Sequence, residues 1–243
     1  VKVFSRLSSP VIVPSTHFKE KLQVDVGLKA DQVALLPRGA DLKNYSPQNR
    51  EGKYWENHFK EQGSVRFSFV GRVSEEKELP FLEEVWRDYS ATHPEAQLLI
   101  VGKGPYLEKM KSRCADLNSI RFTGVRHGTY LAGLYANADW FLFPSGTDTF
   151  GNVVVESLAS GTPAIVSDSG GPRDIVEDQK SGMVIPFRDH HAWYNALVQA
   201  EEITVKKLET PWRAAAAERA QQFTLEKSAR AFWDFYLHVL QKS

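Results

Sequence analysis

The stretch that decides the fold runs from Phe143 to Pro172 and reads FPSGTDTFGNVVVESLASGTPAIVSDSGGP. Its apolar start predicts the end of a strand, VVVESLAS predicts a helix, and AIVS predicts a second strand, with glycine-rich turns between them. One acid, Asp148, lies in the first loop, and a second, Glu156, lies inside the helix. The stretch therefore predicts a strand–helix–strand unit that carries two carboxylates.

The start of this helix is a candidate anion site. Phe150, Gly151, Asn152 and Val153 are predicted to form its first turn, where backbone N–H groups find no acceptor within the helix. Those donors and the positive pole of the helix dipole favour an anion. Simpler interpretations remain for the acids: Asp148 can cap the helix, and Glu156 can interact with the dipole for about 0.3–1 kcal/mol.

A second loop, Gly71–Lys77 (GRVSEEK), follows a predicted strand. Gly71 lets a phosphate approach the backbone, and Arg72 and Lys77 supply two cations that suit a diphosphate. The alternative is a solvated loop whose cations pair with Glu75 and Glu76.

These segments closely resemble the signature of family 4 retaining glycosyltransferases of the GT-B fold. That family usually has two glutamates separated by seven residues, which here become Asp148 and Glu156, followed by ASGTPAIVSDSGGPRDIV. The resemblance extends from about residue 33 to 184. Three positions depart from it: Asp148 is one methylene shorter than Glu, Glu78 stands where the family often has Gly, and Arg38 stands where it commonly has Asn.

The resemblance implies a role for each matching position in the transfer of a sugar from a nucleoside diphosphate to an acceptor hydroxyl. Asp148 would orient the sugar, Glu156 would hold the ribose, and Arg72 and Lys77 would stabilise the leaving diphosphate. The other implied donor contacts come from the backbone of Gly71, of the helix start, and of a base-reading loop that contains Val125 and Arg126. No metal or other cofactor is expected, because protein cations replace it.

The alternation of strand and helix patterns from residue 65 onward predicts the fold. It indicates βαβ units and a Rossmann-like parallel sheet flanked by helices, an α/β fold that forms the C-terminal half of a GT-B structure. Ligands in such sheets bind beyond the carboxyl ends of the strands. Arg72, Gly102, Arg126 and Asp148 all follow predicted strands. The Gly102–Pro105 turn (GKGP) is too incomplete to indicate a dinucleotide site by itself.

Three parts are expected along the chain. Residues 1–45 are interpreted as a remnant of an acceptor domain and a linker, 46–223 as the donor-binding domain, and 224–243 as a helix that packs toward the acceptor domain. The first residue is Val rather than Met, which suggests a fragment. The charged stretch 48–63 is expected to be a solvated connector or a small helix. The last helix has an apolar face that favours packing on protein over a membrane surface.

Composition narrows the partners. Thirty basic and thirty acidic residues cancel, which argues against nucleic-acid binding. A single cysteine, Cys114, suits a reducing cytoplasm. No apolar run reaches bilayer length, and the opening residues lack a signal peptide. We therefore expect a cytoplasmic location, with peripheral membrane contact of the full-length protein left open.

The sequence thus predicts the donor-binding domain of a retaining hexosyltransferase that uses a UDP- or GDP-sugar. Without the acceptor domain, this chain is expected to bind donor and transfer little. The alternatives are another GT-B-like enzyme, an epimerase or a phosphorylase, and a non-catalytic nucleotide-binding module.

Overall fold

A computed structural model describes residues 10–51, 54–57 and 63–241. Its centre is a six-stranded sheet in the order β5-β4-β3-β6-β7-β8, in which every neighbouring pair is parallel. The strands are β3 (Arg66–Val70), β4 (Gln97–Val101), β5 (Ile120–Gly124), β6 (Trp140–Phe143), β7 (Ala164–Ser167) and β8 (Gly182–Ile185). The predicted α/β fold with a parallel sheet is confirmed.

Helices connect the strands and complete the two outer layers. In the described part of the chain they are α1 (Thr16–Val26), α2 (Leu79–Thr92), α3 (Leu107–Arg113), α4 (Gly128–Asn137), α5 (Asn152–Ala159), α6 (His190–Val205), α7 (Thr210–Ala220) and α8 (Leu225–Gln241). Helix α3 ends at Arg113, and the segment after β7 forms a 3-10 turn at Gly171–Asp174.

The core forms because the central strands are apolar on both faces, as parallel strands covered by helices require. All residues of β4, β6 and β7 are buried. Helix α2 contributes Leu82, Val85, Trp86 and Tyr89, which recur every three or four residues and therefore form one buried stripe.

A small unit precedes the main sheet. Strands β1 (Val11–Val13) and β2 (Val33–Leu35) pair in parallel and form a separate core with Leu28. The unit contacts the main sheet's turn at Asp174, whose carboxylate accepts hydrogen bonds from the backbone N–H and the hydroxyl of Thr16. The division of the chain at residues 45 and 223 stays a prediction.

The segment before the main sheet is anchored, and its 3-10 turns at Pro47–Asn49 and Tyr54–Asn57 fit the small-helix alternative better than a purely solvated connector. Trp55 is 1% exposed. Asn137, in α4, donates to the backbone carbonyl of Asn49 at 3.0 Å, and Arg50 pairs with Asp139 at 2.9 Å. The charged residues around Trp55 conceal these anchors in the sequence. Residues 52, 53 and 58–62 of the predicted connector lie outside the described residues.

The apolar face of α8 is largely exposed in the described part of the chain, and its packing toward an acceptor domain stays a prediction. Leu225, Phe232, Trp233, Tyr236 and Leu237 are each 45–58% exposed. In the part of the chain that the structure describes, no helix has the length and hydropathy needed to cross a bilayer.

Candidate functional site

The sheet order reverses direction between β3 and β6. From β3 the chain moves outward to β4 and β5, and it then returns to build β6, β7 and β8 on the other side. The loops that leave the carboxyl ends of β3 and β6 therefore diverge and open a crevice, which is where ligands bind in sheets of this kind. Gly71–Lys77 lies on one side of this crevice and Asp148 on the other.

The loop after β3 is held by backbone packing. The Gly71 N–H donates to the Val101 carbonyl at 3.0 Å, and the Val73 N–H donates to the Lys103 carbonyl at 3.0 Å. A Cβ atom at Gly102 would lie 1.9 Å from the Gly71 carbonyl oxygen. Gly102 therefore serves close packing between the two loops, in agreement with the interpretation of GKGP as a tight turn.

Four of the predicted site residues line one cavity of about 230 Å³ at the carboxyl ends of β3, β4 and β5. They are Gly71, Arg72, Val125 and Arg126. The Arg72 side chain is 63% exposed and lies 3.8 Å from Glu76. The Arg126 guanidinium lies over the ring of Tyr130, 5.1 Å from its centre. The cavity therefore has two accessible cations at its rim.

The loop after β6 leads into α5, which begins at Asn152 rather than at Phe150. Gly151 is the N-cap residue, with a positive φ of 104° that favours glycine. Phe150 is buried and packs edge-on against Phe223, so its side chain supports the loop from below. The N–H groups of Asn152 and Val153 precede the first intrahelical bond, which the Val154 N–H donates to the Gly151 carbonyl at 2.9 Å. The predicted anion site thus retains its donors but begins two residues later.

An ion pair joins the two sides of the crevice. The Lys77 ammonium lies 2.6 Å from the Asp148 carboxylate, and both side chains are about one-fifth exposed. Near it, the Thr147 hydroxyl donates to the Glu76 carbonyl at 3.2 Å. This geometry corrects two expectations: Asp148 does not cap α5, and Lys77 pairs across the crevice instead of with Glu75 or Glu76.

A glycine-rich turn after β7 supports the Asp148 loop. The Gly171 N–H donates to the Asp148 carbonyl at 2.7 Å, and a Cβ at Gly171 would lie 2.3 Å from the Thr149 carbonyl oxygen. The Ser169 hydroxyl donates to the Gly146 carbonyl at 3.2 Å. This turn therefore contacts the backbone that carries Asp148.

Glu156 lies one turn into α5 and is partly buried. Its carboxylate accepts a hydrogen bond of 3.0 Å from the hydroxyl of Tyr135, in α4, and another from Tyr45, in the segment before the sheet. Burial raises the pKa of Glu156, and the two tyrosine hydrogen bonds partly offset that rise. Sequence reasoning missed both tyrosines, because neither stands in a motif and both are distant from Glu156 along the chain.

The departure at Glu78 has a structural explanation. Glu78 caps α2 with a positive φ of 59°, a conformation that glycine adopts at least cost. Its carboxylate makes a two-pronged ion pair with Arg188, with N–O distances of 2.7 and 2.9 Å. The ion pair with Arg188 helps to hold Glu78 in the left-handed backbone conformation, which glycine would adopt without such a contact.

Within the described residues, no group of three or more His, Cys, Asp or Glu side chains is arranged to hold a metal ion. The burial that raises the pKa of the Cys114 thiol to about 11 makes it a poor metal ligand or nucleophile near neutral pH.

A parallel sheet with cations, a helix start and two carboxylates around its switch-point crevice fits an α/β fold of the GT-B type. The chain belongs to the glycosyl transferases group 1 family, whose pattern its residues 53–221 match.

Comparisons with individual proteins agree with this family. The chain is 32% identical over 181 residues to a GDP-mannose-dependent alpha-mannosyltransferase of Mycobacterium tuberculosis, covering 74% of this chain and 45% of that protein. A crystallised glycosyltransferase from Rickettsia africae shares the fold with a TM-score of 0.80 at 20% identity, covering 97% of this chain and 64% of that one. The Anabaena protein Alr3699/HepE, solved with UDP and glucose, gives a TM-score of 0.77 at 20% identity, covering 97% and 67%. The chain thus spans less than half the length of the mannosyltransferase that it matches.

Proposed function

We propose that this chain is the donor-binding domain of a retaining glycosyltransferase that moves a hexose-type sugar from a UDP- or GDP-sugar to an acceptor hydroxyl. The observation that carries the proposal is the switch-point crevice, where a loop with Gly71, Arg72 and Lys77 faces the loop and helix start that carry Asp148 and Asn152. A diphosphate placed there would meet cations on one side and free N–H groups on the other.

The proposed chemistry is electrostatic. As the bond between the sugar and the diphosphate breaks, negative charge grows on the leaving group. Fixed cations and N–H groups then stabilise the transition state more than the ground state. Arg72, Lys77 and the start of α5 have this role, while Asp148 orients the sugar and Glu156 binds the ribose hydroxyls.

The donor's base is the finer part of the proposal. The mycobacterial relative is named for GDP-mannose, and the Anabaena structure contains UDP. In this chain the base would lie by the cavity at Val125 and Arg126, where the backbone after β5 is accessible. We propose that no metal takes part, because Arg72 and Lys77 supply positive charge at the diphosphate position.

Calorimetric titration of the chain with UDP, GDP and ADP, and with their common sugar conjugates, tests the proposal. One nucleotide is expected to bind with a Kd in the millimolar-to-micromolar range, because a few charge-assisted bonds must offset the cost of ordering the ligand. Binding should survive EDTA and weaken at least tenfold in Arg72→Ala and Glu156→Ala.

A matched control is Lys111→Ala, since Lys111 is an exposed cation of α3 that pairs with Glu108 at 2.9 Å and with none of the predicted site residues. Its affinity should equal that of the wild type. Failure of all three nucleotides to bind would overturn the proposal.

Sugar transfer is proposed for the full-length protein. We expect little transfer by this chain alone and restored transfer when an acceptor domain is supplied, followed as release of nucleoside diphosphate. A cytoplasmic location with a peripheral membrane contact belongs to the same proposal and is tested by fractionating cells that express the full-length protein.

A further inference from the structure

The carboxylate of Glu156 is held by two tyrosines. It accepts hydrogen bonds from the phenols of Tyr135 and Tyr45, and among the described residues no lysine or arginine pairs with it. Tyr135 is fully buried, and the two tyrosine rings meet edge to face with centres 5.7 Å apart. The carboxylate is therefore held by neutral donors, and among the described residues no cation offsets its charge when it is ionised.

A second buried carboxylate shows what a purely structural arrangement looks like in this chain. Glu83 accepts a hydrogen bond of 2.8 Å from the hydroxyl of Tyr106, but it also pairs with Arg113 at 2.5 Å. The cation offsets the charge of Glu83 and so lowers the cost of burying it. Glu156 lacks this compensation, although burying it disfavours its charged form.

Two phenols leave part of the carboxylate available. An ionised carboxylate has about four acceptor positions, and each phenol donates a single proton. The final torsion of a glutamate is broad, so an unsupported carboxylate would sample many orientations. Tyr45 and Tyr135 together restrict that torsion and leave acceptor positions for two further donors, the number that a ribose diol supplies.

We propose that Tyr45 and Tyr135 are positioning residues that fix the Glu156 carboxylate for a ribose diol, and that they thereby determine how strongly the site prefers ribonucleotides to 2′-deoxyribonucleotides. This inference rests on the proposed donor site and adds the residues that set one of its specificities.

Tyr45 gives the inference a second consequence. It lies in the anchored segment before the sheet, and its neighbours Asn49 and Arg50 are bonded to α4 and to Asp139. The segment that leads into the domain therefore contributes to the ribose contact, and a chain that begins after residue 45 would lose one of the two phenols.

The first test does not depend on any ligand. Carbon-13 NMR titration of the Glu156 carboxyl group in Tyr45→Phe and Tyr135→Phe is expected to give a higher pKa than in the wild type, because each phenol stabilises the ionised form. Tyr106→Phe is the matched control and should leave the pKa of Glu156 unchanged. An unchanged Glu156 pKa in both variants would overturn the inference, whether or not a nucleotide binds.

The second test measures specificity. The wild type is expected to bind its preferred nucleoside diphosphate tenfold or more tightly than the 2′-deoxy form, since a bond to a charged acceptor is lost. In Tyr45→Phe and Tyr135→Phe this ratio should fall to about threefold or less, while Tyr106→Phe keeps it. Loss of packing alone would weaken both nucleotides equally and leave the ratio intact.

The outcomes separate the two proposals. If nucleotides bind and the ratio does not change in either variant, the positioning role is wrong and the donor site stands. If the wild type binds no nucleotide, the donor site and the ribose role are both wrong. Tyr45 is only half-buried, so its variant keeps the experiment decisive should Tyr135→Phe fail to fold.

Discussion

The two carboxylates of the candidate site lie a few residues apart in sequence and in opposite electrostatic environments. Asp148 is neutralised by Lys77 at 2.6 Å, across the crevice. Glu156 is held by two phenols, and burial raises its pKa. A cation beside Asp148 lets that loop exchange partners when a charged ligand arrives, whereas neutral donors keep Glu156 in one place. The site thus combines an adaptable side for the diphosphate and sugar with a rigid side for the ribose.

The largest effect is expected from Lys77→Ala, which removes the cation that both Asp148 and the diphosphate would use. Nucleoside diphosphate affinity should fall by about 10- to 100-fold, because a bond to a charged group is worth about 1.5–3 kcal/mol. Calorimetry measures this loss. An affinity within twofold of the wild type would remove Lys77 from the site.

Glu156→Gln should separate binding from stability. Because burial raises the pKa of Glu156, the native state binds more protons than the unfolded state between about pH 4.5 and the raised value, and wild-type stability falls as pH rises through that window. Gln cannot ionise. Above that window the free energy of unfolding of the variant should therefore exceed that of the wild type by about 1.4 kcal/mol per unit of pKa shift, and the variant should unfold at a higher temperature. Below about pH 4 the two should coincide.

The same substitution should weaken nucleotide binding about tenfold. Glu83→Gln provides the contrast: it leaves Arg113 without its partner and should lower the melting temperature near pH 7 without changing affinity. Thermal unfolding between pH 4 and 8 distinguishes the two variants. Equal destabilisation by both would mean that Glu156 is an ordinary structural acid.

Asp148→Asn should give the smallest change, with a sign that depends on the ligand. Freed from its partner, Lys77 becomes available to a bare diphosphate, so affinity for the nucleoside diphosphate should rise about two- to threefold. Affinity for the sugar conjugate should not rise with it, because the carboxylate that orients the sugar is lost. Parallel titrations give the ratio, and an equal rise for both ligands would show that Asp148 serves only to restrain Lys77.

Much of the fold follows from local patterns. The six central strands and their helices were predictable because apolar runs of four or five residues alternate with helical periodicity, and Gly71, Gly102 and Gly151 mark the turns between them. The side-chain partnerships were not predictable. Lys77 meets Asp148 only because β3 and β6 are adjacent in the sheet, and Tyr45 reaches Glu156 only because its segment is anchored on α4.

The burial of Trp55 is a further feature that local sequence patterns did not predict. Its charged neighbours suggest solvent, while the contact that buries it depends on the whole fold. Likewise, the resemblance indicated that Glu78 departs from a glycine position, but Arg188, which compensates for that departure, lies far along the chain.

Gly102 packs directly against the backbone of Gly71 and so fixes how closely the two loops approach each other. A methyl group at position 102 would press on the carbonyl that precedes Arg72 and displace the whole cationic loop toward the crevice. A variant such as Gly102→Ala would therefore alter nucleotide affinity by moving the loop that carries Arg72, and a survey of binding-defective variants would find it among the phosphate-loop residues. The position of Arg72 therefore depends on Gly102, a residue after the neighbouring strand β4 that has no side chain.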